Sequence, residues 1–310
     1  MDSKRRRFKS LPIAHQNRIA TTAVSIAAIE LARERRERRA AAAMIKAAQP
    51  SETGITIYAG PSMFDGAPIV CILTRASRNR KNGDMIQSWI MRSDISPATA
   101  RRTGANKSAC NDCGHQMIVN GAREITTCYV NTQTIENIWH GFHRGKYPIR
   151  DIDDPRVAEY LKTSLFRFGA FGDIAALPLS LTESIVAQVD GYTAYTHSWH
   201  VTDRRLAQYA MASVDTDEQK AIAESFGYRT FRVRLAGAPV LPSEIVCPAS
   251  PEAGKRTTCA RCLLCNGKRD GRDRRADIVV EAHGTAAKRF DPVADRYQNP
   301  IRFLRSRAEL

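Results

Sequence analysis

Residues 165–197 read LFRFGAFGDIAALPLSLTESIVAQVDGYTAYTH, and the architecture declares itself in this stretch. Leu165 to Ala170 is apolar and aromatic at nearly every position, a strand that stops at the turn Phe171-Gly172-Asp173. Leu181 to Val189 reads as a helix and Tyr192 to Thr196 as a returning strand. A strand, a helix and a second strand in succession form a crossover unit, whose strands lie parallel in one sheet. The alternation begins near Val157 and continues towards the C-terminus. Gln208 to Val214 reads as a strand, Thr216-Asp217-Glu218 caps a helix that runs to Ser225 and stops at Gly227, and Tyr228 to Leu235 alternates as a strand. Ile245-Val246 and Ile278 to Glu281 follow. The expectation is an α/β fold with a mainly parallel sheet, open or rolled into a partial (β/α) barrel, carrying cysteine-rich metal loops and a basic N-terminal helix.

Upstream, residues 55–150 are rich in short strands: Ile55 to Tyr58, Ile69 to Leu73 and Gln87 to Met91, punctuated by Gly, Pro and Asn82-Gly83-Asp84. Cys71 lies inside the apolar run PIVCILT and reads as a buried core thiol. Residues 1–54 form a basic arm. Its first ten residues read as disordered; Ile19 to Ala48 lacks Gly and Pro and reads as a helix. Ala23, Ile26, Ala27 and Ile29 give that helix a modest apolar face. The run RERRERR from Arg33 to Arg39 is charged all round, so it projects rather than packs. Residues 151–290 hold the α/β domain, and 291–310 are a basic tail with Arg296, Arg302, Arg305 and Arg307.

A chain of 310 residues, 43% hydrophobic and 25% charged, has the composition of a globular protein and excludes disorder throughout. No run reaches the roughly 18 apolar residues of a membrane-spanning helix. The opening MDSKRRRFKS reaches no apolar segment before Arg18, unlike a secretory signal, so a cytoplasmic location is expected. The net charge of +15 favours polyanionic partners, and residues 1–50 supply twelve Lys or Arg against four Asp or Glu. Arg5, Arg6, Arg7, Arg35, Arg36, Arg38 and Arg39 are the candidates for phosphate contact there. A solvated, solubilising face would look the same.

Eight cysteines in a reducing compartment point to metal ligands more than to disulfides. Cys247-Pro248 precedes Cys259-Ala-Arg-Cys262-Leu-Leu-Cys265, a complete four-thiolate set. A C-x2-C-x2-C loop completed by a remote Cys-Pro is the spacing of a 4Fe-4S cluster, and two separated C-x2-C knuckles are that of zinc, so spacing leans towards iron–sulfur with zinc left open. Lys255-Arg256, Lys268, Arg269 and Arg272 to Arg275 form a basic collar on this loop, candidates for nucleic-acid contact. The second set is Cys110-Asn-Asp-Cys113-Gly-His115 with Cys128. It is one thiol short: His115 completes a Cys3His zinc site, or an open iron remains, or the set joins the C-terminal one. Asp173, His197 and Asp215 fall just after predicted strands, the edge where α/β sites are built, and are the catalytic candidates. Turn capping explains both aspartates more cheaply, and a hydrogen bond at a strand end explains the histidine equally well. His140 and His143, at i, i+3 spacing, read as a surface or phosphate-facing pair or as metal ligands on a helix, and His283 closes the last strand as a site or strand-end residue.

Several of these elements together resemble a known group. Gly83-Asp84-Met85-Ile86-Gln87-Ser88-Trp89, Cys110-x2-Cys113, Cys128-Tyr129-Val130, Phe171-Gly172-Asp173, Tyr195-Thr196-His197-Ser198-Trp199 and Cys247-Pro248 through Cys265 to His283-Gly284 resemble a family of uncharacterised phage and prophage proteins over residues 55–284. That resemblance implies a phage origin and, with it, a host-cell cytoplasmic location. A fainter likeness links the Cys-Tyr and Gly-Asp elements to phage proteins of the Gp37/Gp68 type, which are similar to radical-SAM enzymes. It implies S-adenosylmethionine as a cofactor, with Cys110, Cys113 and Cys128 around a cluster that keeps one iron open. The C-x2-C-x14-C spacing here departs from the C-x3-C-x2-C of that superfamily.

Overall fold

The run PIVCILT becomes the middle strand of an antiparallel trio in the computed structural model, which describes residues 53–75, 81–120, 123–269, 271–284 and 286–308. The trio is β1 (Gly54–Pro61), β2 (Pro68–Thr74) and β3 (Ile86–Arg92), with Ile55 opposite Leu73 and Cys71 opposite Ile90. Its β-branched residues pack on both sides of the sheet, which is why the run shows no polar alternation. Ile69, Cys71 and Leu73 enter one core, while Val70, Ile72, Trp89 and Met91 enter a second. Cys71 is fully buried, and burial alone pushes its thiol up, as befits a core residue. The basic arm, its helix over Ile19 to Ala48 and the arginines Arg5 to Arg7 and Arg35 to Arg39 lie outside the described residues.

The segment after β3 carries α1 (Pro97–Thr103), α2 (Lys107–Cys110), the hairpin β4 (Ile118–Asn120) and β5 (Arg123–Ile125), then α3 (Thr132–His143) and α4 (Pro155–Leu161). The side chains of Ser96, Asn131 and Asp154 cap α1, α3 and α4 by accepting a first-turn N–H. Ile135, Ile138, Trp139 and Phe142, spaced at helical period, lay α3 on the second core.

The crossover then forms: β6 (Leu165–Phe171), α5 (Leu179–Val186), β7 (Gly191–Thr193) and β8 (Tyr195–Thr196). The helix starts two residues before Leu181 because Pro178 presets the N-cap, and it ends at Val186, short of Val189. β6 runs parallel to β3 on one side and to β7 on the other. Beyond lie β9 (Met211–Val214), α6 (Asp217–Ser225), β10 (Thr230–Arg234), β11 (Glu244–Val246), α7 (Cys259–Cys262), β12 (Asp277–Glu281) and α8 (Asn299–Ala308). The strand expected from Gln208 begins only at Met211, since Asp203 caps a 3-10 turn over Arg204–Gln208. The expected basic tail forms α8.

Two five-stranded sheets result. The first, in the order β1-β2-β3-β6-β7, is mixed; the second, β11-β12-β10-β9-β8, is parallel throughout. Ala194 alone separates β7 from β8, so residues 191–196 serve both sheets. The fold is α/β, and among the described residues its strands close no barrel. Glu52–Leu310 cluster as one compact unit, and β3 and β6 pair across residue 150. Among the described residues no helix is long and apolar enough to cross a membrane.

Candidate functional site

Parallel strands deliver their carboxyl ends to one edge, and the predicted catalytic residues gather there. Gly172 makes the exit from β6 possible: its φ is 81°, and a Cβ there would collide with the carbonyl oxygen of Ile90. Asp173 follows. Its carboxylate accepts from the backbone N–H of Ala175 (2.9 Å), of His197 (2.8 Å) and of Ser198 (3.3 Å), and from the Ser198 hydroxyl. Asp173 therefore ties the end of β6 to the end of β8, the structural role of a capping residue. Its own N–H donates to Ala109 O at 2.7 Å, which pins α2 and hence Cys110 to this edge.

The first cysteine group is assembled by that contact. Cys110 ends α2, and Asn111 turns the chain in a left-handed conformation. The Cys113 N–H returns to Cys110 O at 3.2 Å, and the Cys128 N–H donates to His115 O at 2.9 Å. Burial pushes the Cys110 thiol well up, the neighbouring Cys113 and Cys128 thiols add to this, and a hydrogen bond with Asn106 opposes it. Cys113 is raised by burial and, less strongly, by Asp215, Asp173 and Asp112. Cys128 is raised by burial, with the Val130 N–H and the Arg101 guanidinium opposing.

Both ring nitrogens of His115, the histidine expected beside these thiols, are engaged by other side chains. Nδ1 meets Thr127 Oγ1 at 2.9 Å and Nε2 meets Asp215 Oδ1 at 3.1 Å. Its ring lies 5.4 Å from that of His197 and 5.1 Å from that of Tyr297. The C-terminal segment covers the group: Arg296 hydrogen-bonds the carbonyls of Gly114 and Gln116, Asn299 donates to Asp112 O at 3.0 Å, and Tyr297 is buried. His140 and His143 sit on α3, where the His143 ring stands against Trp139 at 3.9 Å.

The second group lies on one face of the parallel sheet. Cys247 and Cys265 are buried with Met211, Ile278 and Val280, and Cys259 packs against the same cluster. The Cys247 N–H bonds Val279 O at 2.9 Å; α7 hangs from the 81–82 turn through Cys259 N–H to Lys81 O at 2.7 Å; Cys265 O accepts from the Ala194 N–H at 2.8 Å. Gly267 lets the loop pass directly against the backbone of Gln208 and Tyr209, where a Cβ would not fit. Burial pushes the Cys265 thiol up to about 12, with the Tyr195 hydroxyl opposing and Cys247, Cys259 and Cys262 adding. Cys259 is raised by burial, with Arg167 and Lys81 opposing. The four cysteines of 247–265 thus share one neighbourhood. Among the described residues, however, no group of three or more His, Cys, Asp or Glu side chains stands as a set that could hold a metal ion. The donor chemistry is that of zinc and iron–sulfur ligands, soft thiols on adjoining loops.

The loop is held by residues that spacing does not reveal. Arg229 donates to the carbonyls of Leu264 (2.7 Å), Asn266 (2.9 Å) and Ala276 (2.5 Å). Arg275, expected on the basic collar, faces inward to Asp273 at 2.5 Å and Gly267 O at 2.7 Å. Lys255, Arg256, Arg261, Arg269, Arg272 and Arg274 are exposed around the loop, with Lys268 partly covered. An arginine inside a strand reads as a solvent face, so the sequence gives no sign that Arg167, on β6, stands beside Tyr129, Tyr195 and Cys259. The chain matches no family model, no curated protein and no solved structure.

Proposed function

We propose that this chain is a phage- or prophage-derived metal-binding protein that acts on or with nucleic acid. Cys247, Cys259, Cys262 and Cys265 would hold zinc or an iron–sulfur cluster. What supports the reading is that Cys247 and Cys265 are buried in one cluster on the parallel sheet, with Cys259 packed against it and Cys262 near Cys265, and that Lys255, Arg256, Arg261, Arg269 and Arg272 along the same stretch are exposed. A bound metal would supply a cross-link between β11 and α7 and a positive charge against grouped thiolates. The chain's own residues do the rest. Arg229 and Arg275 hold the loop by its carbonyls, Tyr195 hydrogen-bonds Cys265, and the rim meets phosphates.

Anaerobic purification followed by elemental analysis tests the metal. Iron with sulfide and a brown colour identifies a cluster, and colourless protein with zinc identifies a zinc site; the paired change Cys259→Ala and Cys262→Ala is expected to abolish either. Protein that stays metal-free after reconstitution with both metals, and whose unfolding ignores chelators, would refute it.

A second reading has its own support. Cys110, Cys113 and Cys128 stand at the carboxyl edge of the parallel strands beside Asp173, Asp215 and His197, and His115 is engaged with Asp215 and Thr127. Three thiols there suit a radical-SAM-like enzyme with S-adenosylmethionine as cofactor. Reductive cleavage of S-adenosylmethionine by reconstituted protein is the expected result, and its absence from a fully loaded sample discards this reading alone.

A further inference from the structure

Four interior arginines are each held by two or more acceptors, although the Nε of Arg229 and that of Arg234 find none. Arg232 grips Glu244, Arg234 pairs with Glu252 and Glu281, Arg275 pairs with Asp273, and Arg229 spreads over three carbonyls. Arg167 differs. Among the described residues no carboxylate lies within ion-pair distance of it, and one guanidinium nitrogen donates to Tyr129 Oη at 3.1 Å. A guanidinium offers five N–H donors in a fork that matches an oxyanion, so most of its capacity is unspent.

Tyr129 itself is 66% exposed, although it is a large aromatic residue next to a cysteine loop. Its ring faces that of exposed His283 at 6.2 Å between centroids and 31° between planes. A flat base stacked between two rings needs about 7 Å, two rises of about 3.4 Å. The 6.2 Å spacing falls short of that, so the clamp requires Tyr129, whose side chain is largely exposed, to turn outward as the base enters. An aromatic pair with an oxyanion receptor at the hydroxyl end of one ring has the parts of a nucleotide site: stacking for the base and a bidentate cation for the phosphate.

We propose that Tyr129, His283 and Arg167 form a clamp for one unpaired nucleotide of a single strand, the base between the two rings and its phosphate on the guanidinium. The clamp rests on the nucleic-acid half of the function proposed above and is independent of which metal the cysteines hold. It makes single strands, ends or flipped bases the partner, because a base inside a duplex cannot enter between the rings.

Fluorescence anisotropy with the full chain tests this, using a short labelled oligothymidylate, a blunt duplex of the same length and thymidine 5′-monophosphate as competitor. The single strand should bind more tightly than the duplex at equal salt. Tyr129→Ala and His283→Ala should each weaken single-strand binding by about five- to a hundredfold, the range of one lost stacking contact, and leave duplex binding unchanged. Tyr129→Phe should retain most of the affinity, and Arg167→Gln should lower the salt slope by about one phosphate contact. Both alanine changes are at exposed side chains, and an unaltered melting temperature confirms that the fold persists. Alanine variants that bind the strand like the parent protein overturn the clamp while the nucleic-acid reading stands. A parent protein that binds neither strand nor duplex at low salt overturns both. Displacement of the strand by equally tight thymidine 5′-monophosphate overturns its assignment to a strand.

Discussion

Arg229 shows how much a single side chain carries in this protein. It is 4% exposed, and the carbonyls of Leu264, Asn266 and Ala276 depend on it. Arg229→Met keeps the volume and strands three acceptors, so a loss of about 3 to 5 kcal/mol is expected in urea unfolding. Asp273 works from the other end of the same loop. Arg275 holds its carboxyl well below the usual carboxylate range, chiefly by a hydrogen bond. A carboxyl whose folded value lies below its unfolded one, about 3.9, contributes stability above about pH 4 and loses it as pH falls towards the folded value. Asp273→Asn should therefore be less stable at neutral pH, and its stability should fall less steeply on acidification. Urea midpoints taken from pH 7 downwards check both; a steeper acid limb would contradict the pairing.

The elements are held in register by a few exchanges between distant segments. The turn after β6 needs Gly172 in a left-handed conformation with no Cβ against Ile90, so Gly172→Ala should cost about 2 to 4 kcal/mol, read by thermal or urea unfolding. The segment 291–308 closes over the first cysteine loop through Arg296, Tyr297 and Asn299. A chain ending at residue 290 should alkylate at Cys113 and Cys128 roughly tenfold faster, as local opening becomes cheaper, while Cys71 stays inert. Mass spectrometry of the modified peptides separates the sites. At this scale the strands were largely legible. PIVCILT could hardly be anything else, and β6, β10 and β12 fall where their apolar residues put them. Helix and strand ends were less so: α5 began early because of Pro178, and β9 began late because Asp203 winds its approach into a 3-10 turn.

For the whole molecule the dominant quantity is charge. With a net charge of +15, the nucleic-acid binding proposed above should weaken steeply with salt; six or more phosphate contacts would cost about a thousandfold or more between 50 and 200 mM. Salt-independent binding in a titration would contradict an electrostatic partner. The same scale separates two kinds of knowledge. Spacing placed Cys259, Cys262 and Cys265 at successive three-residue intervals, and hydrophobic period laid down the strands and helices, because both are local consequences of backbone geometry. Long-range packing brought Cys247 to them, set His115 against Asp215 a hundred residues away, and left Arg167 beside Tyr129 with donors to spare. Such contacts depend on how every layer packs at once, and no window along the chain contains that information.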